Sequence, residues 1–245
     1  MNQTIFNLKF ILPIILVNFC SVTYAQNFTV ASYQWAPYID NNKANEGVSI
    51  ALINEIFTRQ GHSISIKYLP WARALEDLDK AKVDILPAVW LKEERLKVMS
   101  YSDPYLYNRL IFIKSKQDPF EYHSSEDLNN KMIGVIREYA YDGKILDHSK
   151  AIFFVADSLI SNLKKVASHR IDFTIEDEYT YKANVPKDLE NQLSITNNAL
   201  DETPLHITCS NTNPQCKTII SIFNSGLLKL KESGDLSKIL NNFGE

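Results

Sequence analysis

Apolar residues recur along the chain at two spacings that take turns. A period of two marks strands: Phe28 and Val30 in "NFTVAS", then Ile64, Ile66 and Tyr68 in "SISIKYL". Between them "GVSIALINEIFTRQG" sets Val48, Ala51, Leu52, Glu55 and Ile56 on one helical face and ends at Gly61, a fitting C-terminal cap. "PWARALEDLDKAK" opens with Pro70 and carries Leu75 and Leu78 as a second helix, and "VDILPAV" follows as a third strand. The alternation then resumes. The runs "LIFIKS", "KMIGVI", "AIFFVA", "IDFTI" and "PLHITC" predict strands. "SSEDLNN", "AYDGKILDH", "DSLISNLKKVASH" (capped by Asp157 or Ser158) and "DEYTYKANV" predict helices. Two helices divided by Gly234 end the chain.

Strands alternating with helices predict an α/β fold with mostly parallel sheets. The polar, aperiodic run Lys114–Leu128 breaks the pattern, and a fresh series of strands and helices follows it. The expected layout is therefore two lobes. Residues 26–113 form the first part of lobe 1, 114–203 form lobe 2, and 204–245 return to lobe 1, with extended crossings near Ile113 and Leu205.

Composition adds the compartment. Residues 1–25 hold a single charge, Lys9, an apolar run from Phe10 to Val17 and the small-residue ending Thr23-Tyr24-Ala25. This pattern predicts a secretory signal peptide cleaved near Ala25. The apolar run is shorter than the ~20 residues a membrane-spanning helix needs. Cys20 leaves lipid attachment open, although the bulky Phe19 before it argues against that. Losing Lys9 takes the 26 basic residues to 25 against 29 acidic ones, a net charge of −4. That balance excludes a basic nucleic-acid footprint. The expected product is an exported, periplasmic monomer. Cys209 and Cys216, an even pair in an exported chain, predict a disulfide. The five histidines are scattered without ligand spacing, so no metal and no cofactor are expected.

Open α/β sheets bind ligands beyond the carboxyl ends of their strands. Trp35 and Tyr38 follow the first strand, Trp71 and Arg73 the second, Trp90 and Arg95 the third. Arg137, Glu138, Tyr139 and Tyr141 follow "IGVI", and Glu176, Asp177 and Glu178 follow "DFTI". All three tryptophans fall at such ends. Aromatic faces take flat or cationic groups, and an arginine beside them takes a carboxylate in two hydrogen bonds. Acids from the other lobe can take a cation, so the composite suits a zwitterion. From composition alone Arg95 reads as an exposed helical charge paired with Glu93 or Glu94 rather than as a ligand group, and Asp177 reads as a helix N-cap that can still face a cleft. No nucleophile elbow, phosphate loop or dinucleotide fingerprint is present.

The order "KVDILPAVWLKEERLKVMSYSDPYL", "RIDFTIEDE" and "LKESGDLSKIL" resembles the bacterial periplasmic solute-binding proteins of family 3, the receptors of polar amino-acid ABC transporters. The resemblance covers nearly all of the mature chain. It implies a type II periplasmic-binding-protein fold of two lobes that close on a ligand, a non-enzymatic role, and an ABC permease or a membrane sensor as partner. By position it implies Arg95 for a ligand carboxylate, Asp177 for its ammonium, and Trp35 and Trp71 as walls. In the binding mode expected here, Asp177 and Tyr139 complete the site from lobe 2. Arg73 is expected as a second anion contact. Two departures stand out: Trp90 replaces a usual hydroxyl residue, and Arg137-Glu138-Tyr139 replaces a small turn that binds carboxylate. Both fill the slot and point away from a standard amino acid. Relatives of this fold that act as small-acid dehydratases leave a cleft enzyme, with Glu138 or Glu178 as acid, as the alternative.

Overall fold

The computed structural model describes residues 25–139, 141 and 150–241. The expected leader, except Ala25, and the expected helix at 140–148, except Tyr141, lie outside them.

Strand β1 (Asn27–Ser32) pairs in parallel with β2 (Ser63–Tyr68), joined by helix α1 (Val48–Thr58). Helix α2 (Trp71–Asp79) leads to β3 (Leu86–Trp90), which lies beside β1 through the Val30–Ile85 bridge. After a 3-10 turn (Glu93–Lys97) come β4 (Met99–Tyr101) and the long β5 (Leu106–Ser115). A second 3-10 turn (Ser125–Leu128) carries a capping box between Ser124 and Asp127. Then follow β6 (Met132–Ile136), β7 (Ile152–Ala156), α3 (Leu159–Ala167), β8 (Phe173–Asp177), α4 (Glu178–Asn184), α5 (Lys187–Glu190) and β9 (Leu193–Ile195). The chain continues with β10 (Asp201–Ser210), α6 (Cys216–Ser233) and α7 (Asp235–Asn241). Ser158, not Asp157, caps α3, and Gly234 ends α6 in the left-handed conformation at φ 75°.

The outer strands are parallel, as alternation predicts: β1 with β2, and β6 with both β7 and β8. Two ten-residue strands, β5 and β10, run antiparallel to their neighbours and join the halves. Residues Leu106–Leu110 of β5 pair with β10, and Leu110–Lys114 pair with β8. β10 changes partners in the same manner at Leu205, from β5 to β3. Both strands start earlier than their apolar runs, at Leu106 instead of Leu110 and at Asp201 instead of Pro204. Their extra residues are held by pairing with each other. Pro204 sits one residue beyond the stretch paired with β3, where a missing N–H costs nothing on that side.

Apolar packing follows the sheets. Phe28 and Val30 of β1 meet Leu52, Ile56 and Phe57 of α1 and Ile219, Phe223 and Leu227 of α6. On the opposite face Ala74 and Leu78 of α2 pack with Ala31, Leu86 and Val89. In the other half Leu163 and Val166 of α3 cover Ile111 and Ile113 of β5. Cys209 and Cys216 form the expected disulfide, with Cα atoms 5.5 Å apart. Among the described residues no helix is long and apolar enough to cross a membrane.

Candidate ligand cleft

The loop after β1 is built tightly. Trp35 and Ile39 exchange both backbone hydrogen bonds at 2.8 and 2.9 Å. The carbonyls of Pro37 and Tyr38 accept the N–H groups of Val48 and Ser49, so the loop supplies the partners that the first turn of α1 lacks. Gly47 makes this approach feasible: its φ is 92°, and a Cβ there would lie 2.5 Å from the Tyr38 carbonyl oxygen. The Trp35 ring is thereby fixed at the end of β1. Trp71 opens α2 directly after Pro70. Trp90 closes β3 and donates its indole N–H to Asn108 Oδ1 at 2.6 Å.

The loop after β6 meets this wall from the other half. Arg95 Nη2 donates to the Glu138 carbonyl at 2.9 Å, and Trp71 Nε1 approaches the same oxygen at 3.5 Å. The Arg95 guanidinium also lies 5.9 Å from the centre of the Trp71 ring, within cation–π range. Its side chain is only 12% exposed. Tyr139 stands edge-on to Trp90 and Trp35, with ring centres 5.1 and 6.2 Å away, and its hydroxyl is 3.4 Å from that of Tyr33. The slot among these residues encloses about 20 Å³. That volume admits a single water and no organic ligand.

A second cavity of about 320 Å³ shares Tyr33, Trp35, Trp71 and Tyr139 with the slot and extends to Arg137, Asp157, Leu159 and Glu176. Arg137 is paired with Asp157 at 2.8 Å. Glu176 is 1% exposed, and one of its oxygens accepts the Asp177 N–H at 2.9 Å. Burial pushes the Glu176 carboxyl up to about 8, against the pull of that N–H. Asp177 has a different task. One oxygen caps α4 through Thr180 N–H at 2.8 Å, the other accepts from Arg109 N–H at 3.2 Å, and the residue is fully buried. Burial raises its carboxyl too, with the Thr180 N–H the strongest opposing contact.

The predicted residues thus divide. Trp35, Trp71, Trp90, Arg95 and Tyr139 come together around the slot. Tyr38 stands behind Trp35 at 4.9 Å and beside Asp177, and lines neither cavity. Asp177 lines neither, because the helix start and β5 use both its oxygens. Arg73, expected as an anion contact, lines neither cavity and pairs with Glu76 at 3.3 Å and Asp77 at 3.0 Å on its own helix. Glu178 is tied to Arg109 and Lys182. Two residues gain importance. Tyr33 stacks on Trp35 at 5.9 Å, as a residue two positions earlier on a strand-like segment does. Glu176, one of three acids in the sequence reading, lines the second cavity. Among the described residues no three His, Cys, Asp or Glu side chains gather as a metal site.

The fold is similar to that of an ancestral arginine-binding protein solved with arginine, with TM-score 0.72 and 21% identity over 89% of this chain and 97% of that one. It is likewise similar to the BvgS VFT2 domain of Bordetella pertussis, with TM-score 0.74 and 20% identity over 89% of this chain and 93% of that one. In sequence the chain is 23% identical over 199 residues to the virulence sensor protein BvgS of Bordetella bronchiseptica, which covers 80% of this chain but 16% of that much longer protein. Residues 28–245, from β1 to the last residue, match a family profile as a whole, and the chain belongs to the bacterial extracellular solute-binding proteins, family 3.

Proposed function

We propose that this chain is an exported binding protein, not an enzyme, that captures a small polar ligand, an amino acid or a related compound, between two lobes. Residues 26–113 and 204–245 form one lobe and 114–203 the other, and the shared strands β5 and β10 form the hinge. The observation that carries this reading is the meeting of Arg95 and Trp71 with the Glu138 carbonyl across the cleft, beside an aromatic slot. Such contacts exist only when the halves are together, so a ligand that adds to them shifts the population toward closure. The arginine bound by the similar ancestral protein supports a polar, nitrogen-rich ligand. The periplasm is the compartment that fits the family and the leader-like start.

Two outlets for the captured ligand are consistent with the relatives. Delivery to an ABC permease fits the family's solute-binding role. Signalling through a membrane sensor is favoured by the match to BvgS, a sensor protein. A thermal-shift screen of the mature chain against amino acids, small carboxylates and amines tests the common element. A ligand at 100 times its Kd stabilises by about 2.7 kcal/mol. If no compound of these classes shifts the transition, the reading falls.

A further inference from the structure

We infer that the cleft selects a small organic cation lacking an α-carboxylate, an amine or guanidine compound, held by Glu176 against the faces of Trp35, Trp71 and Tyr33. The inference rests on the cleft reading above and narrows its ligand class.

The two ends of the cleft differ. At the Arg95 end the protein has taken the ligand's place. The guanidinium is bonded to the Glu138 carbonyl at 2.9 Å, and Tyr139 reduces the slot to about 20 Å³. A ligand carboxylate would have to break that contact and expel a tyrosine packed against Trp35 and Trp90. At the other end the cavity of about 320 Å³ is within the range that holds small organic ligands. Its charged groups are unequal. Arg137 and Asp157 cancel each other at 2.8 Å. Glu176 accepts one backbone N–H and has no ion-pair partner among the described residues. A buried carboxyl beside aromatic faces, with no cation paired to it among the described residues, recognises a positive charge. Asp177, the residue that the family resemblance nominates for an ammonium group, is committed to Thr180 and Arg109. The adjacent acid takes that role.

Binding of a cation leaves Glu176 ionised and releases its proton to solvent. The groups that face it are the Asp177 carboxyl, the Trp35 indole N–H, and the hydroxyls of Tyr33, Tyr139 and Tyr141. Burial raises all three tyrosines far above neutrality, and both Asp177 oxygens accept backbone N–H groups that favour its ionised form, so the released proton is assigned to Glu176.

Calorimetric titration of the mature protein with agmatine and with L-arginine, which differ by one carboxylate, tests the inference. Agmatine is expected to bind at least tenfold tighter. Titrations in two buffers of different ionisation enthalpy should count about one proton released at pH 7, and affinity should rise up to about tenfold per pH unit between pH 6 and 7. Glu176→Gln, with its fold checked by circular dichroism, should lose agmatine at least 100-fold. Tighter binding of L-arginine, no proton release, or unchanged agmatine affinity in the glutamine variant overturns the inference. If agmatine and simple alkylamines fail while an amino acid binds, this inference falls and the cleft reading stands; if nothing binds, both fall.

Discussion

Replacing Glu176 by glutamine should stabilise the ligand-free protein, and far more at pH 8 than at pH 5. The carboxyl is held near 8 in the fold, against an ordinary value of 4.5, chiefly because it is buried. Between those limits the unfolded chain ionises and the folded chain keeps its proton. The folded state therefore binds more protons, and its stability falls as pH rises, by about 1.4 kcal/mol per pH unit. Across the window from 4.5 to 8 the cost approaches about 5 kcal/mol. Glutamine keeps the shape and cannot ionise. The difference between variant and parent should be below about 1 kcal/mol at pH 5 and about 4–5 kcal/mol at pH 8. Urea unfolding at the two pH values measures it directly. In thermal melts each kcal/mol corresponds to about 2–4 °C for a protein of this size. A variant-minus-parent difference that is the same at pH 5 and pH 8 would show that Glu176 is not held neutral, and the reasoning about its burial would be wrong.

Arg95→Ala removes a charge-assisted hydrogen bond between the halves, a contact of about 1.5–3 kcal/mol. It should shift the ligand-free protein toward open forms with folding intact, seen as a larger radius of gyration in solution scattering; an unchanged radius refutes the contact's role in closure. Tyr139→Ala should enlarge the slot and give a carboxylate access to Arg95, so the affinity ratio of L-arginine to agmatine should rise; a constant ratio means that Tyr139 does not exclude carboxylates. Reducing Cys209–Cys216, which closes a loop of eight residues, should lower stability by about 2.5 kcal/mol on the chain-entropy model, read as a lower urea midpoint in dithiothreitol.

Local pattern carried most of the fold. The period-two runs became strands, and Ser158 and Gly234 stand where their caps are expected. Trp35, Trp71 and Trp90 met because strand ends converge on one side of the sheet. Long-range pairing was not legible. Residues 106–109 and 201–203 lack an apolar run, and become strand only by pairing with each other across the chain. Arg73 shows a local rule outweighed by the attraction of a nearby tryptophan: Glu76 and Asp77, three and four positions on, were visible partners throughout. The choice between Glu176 and Asp177 was beyond local pattern. Adjacent strand residues face opposite sides, and the register of β8 on β5 decides which one reaches the cleft.

Those two acids show how one strand end serves folding and recognition together. Asp177 stabilises the fold by capping α4 and holding β5, so its burial is offset by hydrogen bonds. Glu176 has one such bond and bears a penalty that deepens as pH rises. A buried acid with this cost and little structural return is the kind of group expected at a functional site. The contacts of Arg95 and Tyr139 join the halves on one side of the cleft, and on the proposed reading what a cation adds is relief of the Glu176 charge. Two quantities should then move in opposite directions between pH 5 and 8. The ligand-free closed form should weaken as Glu176 is pressed to ionise, and the gain from binding a cation should grow. Measuring melting temperature with and without saturating agmatine across that window separates this coupling from simple site occupancy. The gap between the two curves must widen with pH, and parallel curves would show that binding and the ionisation of Glu176 are independent.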